Sequence, residues 1–246
     1  MSKILMLTEG KDPDKKLIEH IINEFQIKGE VIWAKIGTIY AFYKDIKEKY
    51  DENMDIIRYI KYKYSDKISK EFKASEISYV YLFFDYDLHS KLNEEYKNIE
   101  KIYERINEIS EINSFFENET ENGKLYLSFP MIEAYHKPIG CNYIYEKNNF
   151  EEKLEDFTDF KKKIKNETGN MGMKAIKSQY KKVINFYIDN SENILEMKFK
   201  DVEKNKILKF QNELLKEENK VKIYPSIPIF LNEYYEIEKL QEKLKI

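Results

Sequence analysis

Short, almost wholly apolar runs alternate along the chain with longer stretches in which apolar residues recur at helical spacing. Residues 3–8 (KILMLT), 31–36 (VIWAKI), 77–85 (ISYVYLFFD) and 124–129 (KLYLSF) read as strands, the last ended by Pro130. Runs with so little polar alternation fit strands buried on both faces, as in a parallel sheet. Between the first two, Leu17, Ile18, Ile21, Ile22 and Phe25 mark one face of a helix over about 13–27, capped by Asp12 or Asp14 and broken by Gly29. From Gly37 and Thr38 a Tyr-rich periodicity predicts helical material to about residue 73, which is long for a simple crossover. Residues 91–110 predict a charged amphipathic helix burying Leu92, Ile99, Ile102, Tyr103 and Ile106, and Asn122-Gly123 marks a turn within 118–124.

Strands alternating with helices imply an α/β fold, a mostly parallel sheet flanked by helices. The pattern divides the chain at about residue 148. Residues 1–148 form the sheet domain, with a helical insertion at about 38–74. Residues 149–246 form a mainly helical C-terminal extension packed on it. Within that extension 151–220 reads as almost wholly helical and polar, YPSIPIFLNEYY as a packing element, and the end as a last helix.

Composition narrows the chemistry. The single Cys141 rules out an internal disulfide and any zinc site needing two thiolates, and it fits a reducing compartment. Three scattered histidines, His20, His89 and His136, make no histidine-rich metal site. No apolar run is long enough to span a bilayer and the start MSKILMLTEG does not read as a signal peptide, so a cytoplasmic protein with no membrane partner is expected. With a net charge of −3, any nucleic-acid surface must be local.

The candidate chemistry is acidic. Asp85 and Asp87 close the third strand one residue apart, so in an extended chain they point the same way. Two buried carboxylates on one face stay ionised when a cation or donor groups meet them, and Mg²⁺ is the simplest cation for an oxygen-only site. Glu9 ends the first strand and Glu133 follows the fourth, with the cation Lys137 four residues on. Each has a plainer reading: Asp85 and Asp87 as turn and cap, Glu133 as a first-turn helix acid. Trp33 reads as core. Residues 161–182 carry eight lysines against one glutamate. Lys161, Lys162, Lys163, Lys174, Lys177, Lys181 and Lys182 are candidate phosphate contacts, or a solvated helix face.

Glu9-Gly10 after a first strand, Asp85-Tyr86-Asp87 after a later one and Glu133 after the next resemble the Toprim domain. In this longer spacing they resemble nucleases of the overcoming-lysogenisation-defect type and the small Toprim effectors of bacterial anti-phage systems. The resemblance spans roughly residues 3–137. It implies a Toprim-like sheet and a Mg²⁺- or Mn²⁺-dependent nuclease acting on DNA or RNA, tRNA included, with Glu9, Asp85, Asp87 and Glu133 as metal ligands. It also implies control by a partner ATPase, since the chain has no Walker-type phosphate loop of its own. The chain departs from the pattern four residues after Glu9, where Pro13 stands between Asp12 and Asp14 in place of a further acid. Alternatives are a primase-like enzyme on the same fold, or a non-catalytic Toprim-fold binding module, inhibitor or adaptor in a defence complex.

Overall fold

The apolar runs form the centre of a sheet. The computed structural model describes residues 2–10, 12–49, 55–86, 99–129, 142–144, 203–218, 220–222, 224 and 226–244. In chain order the elements are β1 (Lys3–Thr8), α1 (Asp12–Phe25), β2 (Glu30–Lys35), α2 (Ile39–Lys49), α3 (Ile56–Lys63), β3 (Ile77–Asp85), α4 (Ile99–Phe115), β4 (Glu117–Asn118), β5 (Gly123–Ser128), β6 (Asn142–Ile144), α5 (Lys204–Glu218), β7 (Lys220–Lys222), α6 (Ser226–Tyr234) and α7 (Ile237–Leu244). β2, β1, β3, β5 and β4 line up in that order. The first four are parallel and β4 is antiparallel to β5. The fold is thus α/β, with a mixed, mostly parallel five-stranded sheet flanked by helices.

Register assigns the faces. Met6 pairs with Trp33 and Tyr81, Thr8 with Lys35 and Phe83, Phe83 with Tyr126, and Asp85 with Ser128. Partners in register share a face, so these residues line one side of the sheet. α6 covers it, with the Phe230 ring 5.1, 5.2 and 5.5 Å from those of Tyr81, Phe83 and Tyr126. Burying Phe230 there is worth about 1.5–3 kcal/mol. Leu5, Leu7, Ile32, Ala34, Leu82, Phe84, Leu125 and Leu127 face the other way and are buried. On that side α2 meets α4, with Phe42 stacked on Phe116 at 5.8 Å, and α5 packs against α4.

The C-terminal helices are tied to the sheet domain by polar contacts as well. Tyr126 Oη donates to Glu233 Oε2 at 2.8 Å, beside the Lys124–Glu233 ion pair at 2.8 Å. Tyr235 donates to the Phe25 carbonyl, and the Lys28 amide donates to Tyr234 Oη at 3.2 Å. Lys204, at the start of α5, is buried and donates to the carbonyls of Asn113 (3.3 Å) and Phe116 (2.9 Å) and to Asn113 Oδ1 (3.2 Å). It thereby caps the carbonyl end of α4, where the helix dipole favours a cation.

Several expectations are corrected. The helix begun at Asp12 ends at Phe25, short of 27, because Gln26 turns to φ 54°. Ile27 N–H then bonds the Ile22 carbonyl and Gln26 N–H the Asn23 carbonyl, a Schellman closure. The stretch from Gly37 to 73 is not one helical run. After α3 it forms only a 3₁₀ turn at Ser65–Lys67, then an isolated antiparallel bridge from Ile68 to Ala34. The Ser69 amide donates to the Trp33 carbonyl at 2.8 Å and Ser69 Oγ accepts from the Trp33 amide at 2.9 Å, so this segment covers the open edge of β2. Tyr103 is 40% exposed, not buried; Ile106 is buried as expected, and the stripe runs on through Ile109 and Ile112. The expected turn is present at 119–122, where it joins a short strand, β4, to β5, and the mainly helical C-terminal region includes β7, which pairs with β6. The packing element at 224–235 contains helix α6, with Pro228 in its first turn. Leu92 lies outside the described residues, as do the side chains of Ile99 and Ile102.

Candidate active site at the strand tips

From β1 the chain crosses to β2 on one side, then returns past β1 to β3 on the other. In open parallel sheets the crevice at such a reversal, outside the carboxyl ends of the strands, is where ligands bind. Here those ends belong to β1 and β3, and they carry Glu9 and Asp85. The last paired residues are Thr8 and Phe83, so Glu9 stands one residue and Asp85 two residues beyond that rung. The structure therefore brings these two acids to one edge of the sheet. Alternation puts Asp85 on the face of Thr8 and Ser128, whereas Glu9 lies past the end of its strand, where Gly10 at φ 129° turns the chain.

Asp85 is 9% exposed and sits among buried hydroxyls. Its register partner Ser128 accepts from the Ser226 amide at 3.3 Å and shares a 2.8 Å hydrogen bond with Ser226 Oγ. Ser226 opens α6, so the positive end of that helix dipole is held on the face where Asp85 lies. Paired amides and carbonyls of Phe129 and Tyr224, both at 2.8 Å, clamp the chain just beyond.

Tyr86, between the two aspartates, is fixed at three points. Its amide donates to the Ser128 carbonyl at 2.9 Å and its carbonyl accepts from Tyr40 Oη at 3.0 Å. Its own hydroxyl donates to Asn212 Oδ1 at 2.6 Å. The ring is fully buried, and that burial drives the phenol pKa far above its ordinary value. Sequence reasoning passed over Tyr86. Its signal was alternation: a residue between two same-face acids must point into the opposite, apolar face.

Asp87, Glu133 and Lys137 lie outside the described residues, as do His89, His136, Cys141 and the lysines Lys161, Lys162, Lys163, Lys174, Lys177, Lys181 and Lys182. Among the described residues no group of three or more His, Cys, Asp or Glu side chains is placed to hold a metal ion. Glu9 and Asp85 remain an oxygen-only pair, and Mg²⁺ commonly takes just one or two carboxylates from a protein, filling its shell with water and phosphate oxygens. The donor chemistry thus fits a hard divalent cation. Among the described residues no helix is long and apolar enough to cross a membrane. No family model matches the chain, and neither a curated protein nor a solved structure matches it.

Proposed function

We propose that this chain is a divalent-metal-dependent nuclease of Toprim type that cleaves phosphodiester bonds in DNA or RNA. We propose, too, that it works in anti-phage defence under the control of a partner ATPase. The observation that carries the reading is the meeting of two acid-tipped parallel strands, β1 with Glu9 and β3 with Asp85, at the reversal of strand order.

Glu9 and Asp85, with Asp87 and Glu133, would hold one or two Mg²⁺ or Mn²⁺ ions. Such an ion, when bound, supplies an acidified water and charge compensation at phosphorus. In hydrolysis a water oxygen attacks phosphorus, the opposite P–O ester bond breaks, and the departing oxygen takes a proton. Asp85 presents a carboxylate whose backbone cannot wander, because Tyr86 beside it is bonded at amide, carbonyl and hydroxyl. Glu9 either joins it as a ligand or takes the proton of the attacking water as general base. Lys137 balances the charge that builds on the phosphate oxygens.

The test is cleavage of plasmid, single-stranded DNA and total tRNA with Mg²⁺, Mn²⁺ or EDTA, by the wild type and Asp85→Ala. Cutting that needs the cation and is lost in the variant is expected. Wild-type cutting by Asp85→Ala overturns the assignment, and primer synthesis from nucleotides in place of cutting moves it to polymerisation.

A further inference from the structure

Beside Glu9, on the side away from Asp85, the molecule has an open cavity of about 560 Å³, a size ordinary for a ligand site. Its lining includes Lys15 from α1, Lys35 from the tip of β2 and Lys67 from the 3₁₀ turn, together with Glu9, Trp33 and Asp66. These lysines come from three elements far apart in sequence. The fold, not a local run of basic residues, collects them.

The walls are built. The bridge from Ile68 to Ala34 and the two bonds between Ser69 and Trp33 pin the turn carrying Asp66 and Lys67 to the edge of β2. Lys15 reaches over the Trp33 ring, 5.9 Å from its centroid, while pairing with Glu19 at 3.4 Å. Trp33 is 6% exposed, so it supports this side of the cavity and offers little face for stacking. At the strand tips Gly10 (φ 129°) and Gly37 (φ 79°) add backbone without side chains to the lining, and the Gly37 amide donates to the Glu9 carbonyl at 3.1 Å. A Cβ on Gly37 would meet nothing within 4 Å.

Three ammonium groups face two carboxylates here. Counting Glu19 on Lys15, a Glu9 carboxylate committed to a cation leaves three lysines against two acids. Lysine is a compact point charge suited to phosphate, and clustered charge of one sign in a concave site focuses its field. We propose that this cavity holds a backbone phosphodiester of a nucleic-acid strand, adjacent to the scissile one, and so positions the strand over the acids. The adjacency rests on the nuclease reading; the binding of the phosphodiester does not. Phosphate contacts of this kind set register without reading sequence.

The test is fluorescence anisotropy in EDTA, so that nothing is cut, with fluorescein-labelled single-stranded DNA and RNA of one sequence. Salt is varied from about 25 to about 200 mM KCl. The triple variant Lys15→Gln, Lys35→Gln, Lys67→Gln is compared with a charge-matched surface control, Lys44→Gln, Lys206→Gln, Lys209→Gln. The cavity variant is expected to raise Kd about tenfold and to flatten the logarithmic salt slope by about 0.7 for each phosphate no longer neutralised, the control to do neither. Equal weakening in both variants, unchanged binding by the cavity variant, or no binding by the wild type overturns the proposal. If the triple variant melts early, exposed Lys67→Gln alone must still flatten the slope. The strand bound more tightly, DNA or RNA, names the source of the phosphodiester. Cleavage by Asp85→Ala is scored separately, so failure of the nuclease reading and failure of the phosphate site give different results.

Discussion

Tyr86 and Asn212 stand 126 residues apart in the chain, and the phenol of the first donates to the amide oxygen of the second at 2.6 Å in the buried interior. Asn212 Nδ2 passes the chain on to Ser110 Oγ (3.1 Å), which donates to the Ile106 carbonyl (2.7 Å). One polar thread therefore joins the residue beside Asp85 to α5 and α4. Tyr86→Phe removes one donor and leaves a buried acceptor behind. A loss of about 1–3 kcal/mol is expected. In the nuclease reading kcat falls while KM holds, because Asp85 loses registration and the substrate is touched as before. Urea unfolding and steady-state cleavage check the two halves. Unchanged stability would show that the hydrogen bond contributes nothing.

Gln26 occupies a left-handed position (φ 54°) in the Schellman closure of α1, where a Cβ is unwelcome. Gln26→Gly is expected to stabilise by about 0.5–1 kcal/mol, the relief exceeding the extra freedom of the unfolded glycine. A raised urea midpoint with unchanged slope is the signature.

Gly123 opens β5 at φ 99°, and a Cβ there would lie 2.5 Å from Leu82 Cδ1 and 3.0 Å from Val80 Cγ1. Gly123→Ala meets both a forbidden backbone region and a packed neighbouring strand. A cost of about 2–4 kcal/mol is expected, read as a lowered thermal midpoint.

Burial lowers the Lys204 ammonium from 10.5 to about 8, helped by Lys124 and opposed by the carboxylates of Glu233, Glu117 and Glu119. The folded pKa lies below the unfolded one. Between about pH 8 and 10.5 the unfolded chain therefore holds a proton that the folded chain has released, and this group makes stability rise with pH across that window. Below pH 8 both states are protonated and the burial cost is constant, on the order of 2–3 kcal/mol. Against Lys204→Met, the wild type is expected to gain on the order of 2 kcal/mol between pH 7 and pH 10 in urea unfolding. Parallel pH profiles would refute the shift.

What could be read from sequence followed from periodicity. The apolar runs gave β1, β2, β3 and β5, and their acid tips located Glu9 and Asp85 at one sheet edge. What escaped was set by contacts between distant residues that leave no local pattern. β4 is two residues long and exists because Gly123 lets the chain fold back on β5. The edge cover at Ile68 and Ser69 depends on Trp33, and α6 depends on the aromatic face formed by Tyr81, Phe83 and Tyr126. Tyr103 follows the helical period yet stays half out, roofed by the Lys216 ammonium at 5.4 Å from its ring. The charged lining at Lys15, Lys35 and Lys67 is likewise invisible to any window along the chain.

Asp85→Asn separates cation binding from folding, because amide and carboxyl are nearly isosteric. A cation that binds only the folded state stabilises it by mass action, about 2.7 kcal/mol at one hundred times Kd. Mn²⁺ is therefore expected to raise the thermal midpoint of the wild type and to leave that of Asp85→Asn where it was. Without cation, the midpoint of each protein is the reference from which its Mn²⁺ shift is read. If Mn²⁺ stabilises both proteins equally, the cation sits elsewhere and Asp85 is a strand-end acid with a purely local role. If it stabilises neither, the acids at the tips of β1 and β3 do not form a cation site in the free protein, and the nuclease reading then requires the bound substrate to complete it.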